Sequence, residues 1–196
     1  MSSASQSALY RRVLGSACLL AVVLPLLIAN RAAAQEIHPT EAQVKAAYLY
    51  NFGKFVTWPD HRPGDSGQFE ICILGRDPFG KVLDATVSGE KINDKNIGVR
   101  RVTRVQEAQG CNILFISSSD ESRLLAILAA ARAMNVLTVS DMPNFANHGG
   151  AIGLVMQADR VRFEVNRTAA EEAHLTLSSQ LLKVASRVID KGTPGS

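Results

Sequence analysis

An apolar run from Val13 to Ala29, broken only by Gly15, Ser16 and Pro25, follows the basic pair Arg11-Arg12 and precedes Ala32-Ala33-Ala34. Basic start, apolar middle and small-residue exit together read as a secretory signal peptide over residues 1–34, cut after Ala34. A retained anchor would need about 20 uninterrupted apolar residues, and Pro25 and the alanine triplet interrupt that. Cys18 sits inside the apolar run behind Gly15-Ser16-Ala17 and is a poor site for lipid attachment.

After the leader the period of the pattern alternates. Thr40 and Gln43 have capping-box spacing, and Val44, Tyr48, Phe52 and Phe55 recur at helical intervals. This predicts a helix over residues 41–57, stopped by Trp58-Pro59. Phe69 to Leu74 reads as a strand, and Pro78 as the opening of a helix to about Val87. Ser88 to Asn96 is polar and turn-like, and Ile97 to Val102 is a second strand. Cys111 to Ile116 is a third, apolar enough to be buried on both faces. Ser119 or Asp120 would cap a helix from Ser122 to Ala133 with Leu124, Leu125, Ile127 and Leu128 facing inward. Val136 to Val139 is a fourth strand. Ala151 to Met156 and Arg160 to Val165, joined at residues 157–159, read as an antiparallel hairpin, and a last helix is expected from Asn166 or Thr168 to about Ile189. Strands alternating with helices predict an α/β fold. The expected form is one three-layer domain over residues 35–196, with a mostly parallel sheet, a C-terminal antiparallel hairpin and helices on both faces.

Charge changes the picture once the leader is set aside. The formal charge of +3 comes from Arg11, Arg12 and Arg31; without them the 21 basic residues become 18, against 18 acidic ones. A near-neutral domain carries no electrostatic footprint for nucleic acid. Cys72 and Cys111 are the two cysteines left after cleavage. In an oxidising compartment an even number reads as a disulfide, with two buried free thiols on separate strands as the alternative.

The residues with chemistry do not assemble into an expected active site. Gly75-Arg76-Asp77-Pro78-Phe79-Gly80-Lys81 matches seven positions of a phosphate-binding loop, but Val82 replaces the hydroxyl residue that holds magnesium. Asp77 puts a carboxylate into the anion cradle and Pro78 removes an N–H donor. His38, His61, His148 and His174 have no metal-ligand spacing, so neither a metal nor a cofactor is expected. Ser117-Ser118-Ser119 lacks the nucleophile-elbow pattern and reads as a helix cap.

Val44-Lys45-Ala46-Ala47-Tyr48-Leu49-Tyr50-Asn51-Phe52 with Trp58-Pro59 resembles the opening of the YfiR-like family. The resemblance continues through Ile71-Cys72-Ile73-Leu74-Gly75, Asp77-Pro78-Phe79-Gly80 and Cys111-Asn112-Ile113-Leu114-Phe115-Ile116. Val136 to Asp141, Phe145, Gly149-Gly150, Phe163-Glu164-Val165-Asn166 and Leu177-Ser178-Ser179 complete it. It implies a non-enzymatic periplasmic protein that represses a membrane-bound diguanylate cyclase by binding its periplasmic region, and so lowers cyclic-di-GMP signalling and biofilm. It also implies a homodimer, a Cys72–Cys111 disulfide, and relief of repression by an outer-membrane peptidoglycan-binding lipoprotein. Some relatives carry a second cysteine pair before the hairpin, where residues 144–150 here hold none, so redox switching through two bridges is not expected.

Two functional readings follow. A protein-binding repressor would use Tyr50 and Lys54 on the first helix, and the Asp141 to His148 loop. A small-ligand sensor for another membrane receptor would use a pocket at the carboxyl ends of the parallel strands. Arg76, Asp77 and Phe79 would meet Ser117 to Ser119, Asp141, Phe145 and His148 there.

Overall fold

Thr40 starts the first helix as its spacing predicts: its hydroxyl accepts from the Gln43 backbone amide at 3.3 Å, and Gln43 Oε1 accepts from the Thr40 backbone amide at 2.7 Å. The computed structural model describes residues 38–60, 64 and 66–190. The expected signal peptide with its cut at Ala34, Cys18, His61 and the tail from Lys191 lie outside the described residues. Helix α1 spans Glu41–Phe55 and yields to a short strand, β1 (Val56–Thr57), two residues before the expected end.

The elements then run β2 (Phe69–Leu74), α2 (Lys81–Val87), β3 (Lys91–Ile92), β4 (Lys95–Val102), β5 (Ile113–Ile116), α3 (Leu124–Arg132), β6 (Leu137–Ser140), β7 (Ile152–Gln157) and β8 (Arg160–Asn166). After these come α4 (Arg167–Glu172), β9 (Thr176–Leu177), α5 (Ser179–Val184) and β10 (Arg187–Ile189). Eight strands form one sheet in the order β10-β8-β7-β6-β5-β2-β4-β3. Neighbours from β4 to β7 pair in parallel, and β7–β8 is the expected antiparallel hairpin.

Alternate strand residues feed two cores, which is what makes the domain three-layered. Ile71, Ile73, Ile113, Phe115, Leu137 and Val139 pack under Ala46, Leu49 and Phe52 of α1 and Leu83 of α2. Cys72, Leu74, Leu114 and Ile116 point the other way, under Leu124, Ile127, Leu128 and Ala131 of α3. The continuous apolar composition of β5, and of β2 from Ile71 onward, follows from burial on both faces. Cys72 and Cys111 are disulfide-bonded within the second core, with Cα atoms 6.0 Å apart.

Four local expectations give way. Ser88 to Asn96 contains a hairpin, because Asn93 and Asp94 adopt φ of 48° and 62°, the left-handed pair a two-residue turn needs. Pro78 does not open α2, which starts at Lys81 after Gly80 at φ 53°. Leu125 does not face inward but is 74% exposed, since a 3₁₀ turn over Ser118–Arg123, capped by Ser117, resets the phase before α3. The expected helix to Ile189 breaks into α4, β9, α5 and β10. His174 takes φ 56° and the Leu175 amide reaches back to the Ala170 carbonyl at 2.9 Å, closing α4. Thr176-Leu177 then pairs with Val56-Thr57, and Ser178 caps α5.

Candidate functional site

The sheet grows first from β2 to β4 and then back across to β5, so its topological switch point lies at the carboxyl ends of β2 and β5. Gly75–Asp77 and Ser117–Asp120 do meet there, but they close on each other. The Arg76 amide donates to Ser119 Oγ at 3.0 Å, and a Cβ on Gly75 would run into Asp120 and Ser119. Asp77 Oδ1 accepts from the Phe79 and Gly80 amides at 2.7 and 3.2 Å, using donors that a phosphate would need. Asp77 Oδ2 takes Arg101 Nε at 3.0 Å, and Arg101 also pairs with Asp84 at 2.6 Å. Those two carboxylates raise the Arg101 pKa further, with the Asp84 hydrogen bond the largest cause, so the guanidinium is a permanent cation tying the turn to α2. Phe79 is a core side chain, edge-on to Phe115 at 4.9 Å, and Arg76 is exposed.

The third expected segment goes elsewhere. Asp141, at the end of β6, accepts from Lys45 Nζ at 2.6 Å, and Glu41 accepts from the same ammonium at 2.5 Å. Phe145 is buried in the second core and His148 is exposed. Asp141 therefore turns to α1, while Met142 and Phe145 carry the loop onto the α3 face of the sheet.

Helix α1 presents two different flanks beside its buried stripe. On one, the Tyr50 hydroxyl donates to Glu90 and Lys54 Nζ stands 4.0 Å over the Tyr50 ring. Tyr50 is half-buried against the first core, with Lys54 exposed above it. On the other, Tyr48 stacks on Phe52 at 5.7 Å and meets Phe163 edge-on at 5.3 Å, while its hydroxyl donates to the Val161 carbonyl at 3.2 Å. Together with Phe55, Leu181 and Val184 this cluster lines an apolar groove of about 450 Å³ between α1 and α5. Val184 is 60% exposed at its rim. The sequence singled out Tyr50 and Lys54 but missed this groove, because Val184 belonged to an expected long helix that would have buried it.

Lys45, in the first turns of α1, pairs with both Asp141 and Glu41. Burial lowers its pKa, but the hydrogen bonds and charges of Asp141 and Glu41 outweigh burial and hold it above the ordinary 10.5. A raised folded pKa stabilises the fold fully below the unfolded value and is lost as pH rises through the folded one. Lys45→Met is expected to cost about 1–2 kcal/mol at neutral pH, since both carboxylates keep access to water. The gap to wild type should shrink only above the unfolded pKa of 10.5. Urea unfolding at about pH 7, 9 and 11 checks this; a gap already shrinking between the first two would refute it.

A family profile described as YfiR/HmsC-like matches residues 42–186. The solved structure of a conserved domain protein from Vibrio cholerae O1 biovar eltor superposes with a TM-score of 0.53 at 10% identity, over 76% of this chain and 60% of that one. An ABC domain in complex with L-Trp from Streptococcus pneumonia gives 0.49 at 12% identity over the same shares. At these identities the first likeness shows the fold alone and the second carries nothing. This chain spans about three fifths of the length of each. No curated protein matches the sequence.

Proposed function

Because the chain belongs to the YfiR/HmsC-like family, a regulatory rather than a catalytic one, we propose that it represses a membrane-bound diguanylate cyclase by binding the cyclase's periplasmic region. The observation that carries this reading is the family match over residues 42–186. The Cys72–Cys111 bridge supports export, because disulfides persist in the periplasm and are rare in the cytosol. Among the described residues no helix is long and apolar enough to cross a membrane. Export with the leader removed after Ala34 belongs to the same proposal. So do a homodimeric state and relief of repression by an outer-membrane peptidoglycan-binding lipoprotein.

The apolar groove between α1 and α5 is the contact surface this reading favours. Its walls are rigid helix and strand, and its aromatic floor supplies the desolvated area that dominates binding energy. Without its leader the chain is close to neutral, so affinity rests on this fit rather than on long-range steering.

Deleting the gene should raise cellular cyclic-di-GMP and thicken biofilm, and the full chain with its leader should reverse both. The leaderless form, held in the cytoplasm, should not. Val184→Asp puts a charge on the exposed rim of the groove and should fold yet fail to restore repression. Unchanged cyclic-di-GMP in the deletion strain would remove the cyclase from the proposal.

A further inference from the structure

We propose that the pocket beneath the first turns of α1 binds a small organic ammonium ion carrying an apolar body. This site is separate from the groove and does not depend on the identity of any protein partner. The pocket measures about 270 Å³, just under the size range of about 300–1,000 Å³ usual for drug-sized ligands. It lies at the carboxyl ends of two parallel strands, β6 and β7, the edge where open α/β sheets take ligands.

Its chemistry is asymmetric. Glu41 and Asp141 stand on one side, 2.5 and 2.6 Å from the buried Lys45 ammonium. Two carboxylates against one ammonium leave a net charge of −1. A carboxylate has about four acceptor sites, and Lys45 contacts one oxygen of each, so the pair has capacity for a second ammonium. The other side is apolar: Leu154 and Val161 are buried and form the floor, while Met156, 57% exposed, stands at the mouth. The Met156 thioether beside a carboxylate pair suits a cation with an alkyl or aromatic body. A bare metal ion would leave the apolar floor of Leu154 and Val161 unused. An anion would meet the net negative charge, and a neutral body would leave that charge unused.

Titration calorimetry of the purified chain with phenethylammonium tests the site, with 2-phenylethanol and phenylacetate as neutral and anionic controls. A ligand of this size should bind with a Kd of about 0.1–1 mM. The amine should bind about tenfold more tightly than either control, since charge-assisted hydrogen bonds exceed neutral ones. Met156→Lys places a cation at the exposed mouth and should weaken amine binding about tenfold or more. Glu41→Gln, at a side chain 55% exposed, should weaken it about threefold. No amine binding up to about 10 mM, equal affinity for the alcohol, or a Met156→Lys chain that binds the amine as well as wild type would each overturn the proposal.

Discussion

Replacing Cys72 and Cys111 together by alanine is expected to lower the unfolding free energy by about 4 kcal/mol. The bridge closes a sequence separation of 39 residues, and the chain-entropy relation for a loop of that length gives this figure. Both cysteines are fully buried in the core under α3, beside Leu114 and Leu74, so alanine adds no polar group but leaves some unfilled volume. For a domain of this size each kcal/mol moves the melting temperature by about 2–4 °C, so a fall of roughly 8–16 °C should appear in calorimetry. Reduction of the wild type with excess dithiol should move its melting point toward that of the double variant. Near-identical melting of the oxidised wild type and the double variant would show that the bridge adds no stability.

Phe52→Ala should cost a comparable 3–5 kcal/mol, about the range for removing a buried aromatic ring. Phe52 is 1% exposed, stacks on Tyr48 and meets Phe163 edge-on at 5.2 Å, so its ring joins α1 to β8. The same ring also forms part of the groove wall. Truncation therefore has a second consequence, in which Tyr48 loses its stacking partner and the groove deepens into the core. Loss of stability and loss of cyclase repression should appear together in Phe52→Ala, whereas Val184→Asp should lose repression alone. Chemical denaturation of both variants separates these effects. A Phe52→Ala cost under about 1 kcal/mol would mean that the core closes over the missing ring.

The elements that were legible in the sequence are those whose signals are local. Thr40 and Gln43 lie three residues apart and satisfy each other's backbone, so the start of α1 needs nothing from the rest of the chain. Ile113–Ile116 is uniformly apolar, and burial on both faces of the sheet accounts for that. The hairpin of β7 and β8 shows in the alternation of Val161, Phe163 and Val165 with Arg162 and Glu164. The resemblance to the YfiR-like family was likewise readable from motifs spread along the whole domain.

The site was less legible because its contacts are distant. Lys45 and Asp141 are 96 residues apart, and neither carries a local mark of the other. The groove exists only because the expected last helix breaks at His174 and Thr176-Leu177 is taken by β1, leaving α5 as a separate short helix with Val184 outside. Helical spacing of Leu177, Leu181 and Val184 is as real in the sequence as the spacing in α1. Strand pairing and the Ser178 amide bond to the Phe55 carbonyl at 2.9 Å satisfy the same backbone in another way. Sequence alone thus determined the alternation of elements, the two-sided burial of the sheet and the family resemblance, because short-range capping and side-chain period encode them. Only the tertiary structure decided which strand ends close on each other, which charge Lys45 meets and where apolar surface stays open, because those depend on the competition between distant partners for the same backbone and the same space.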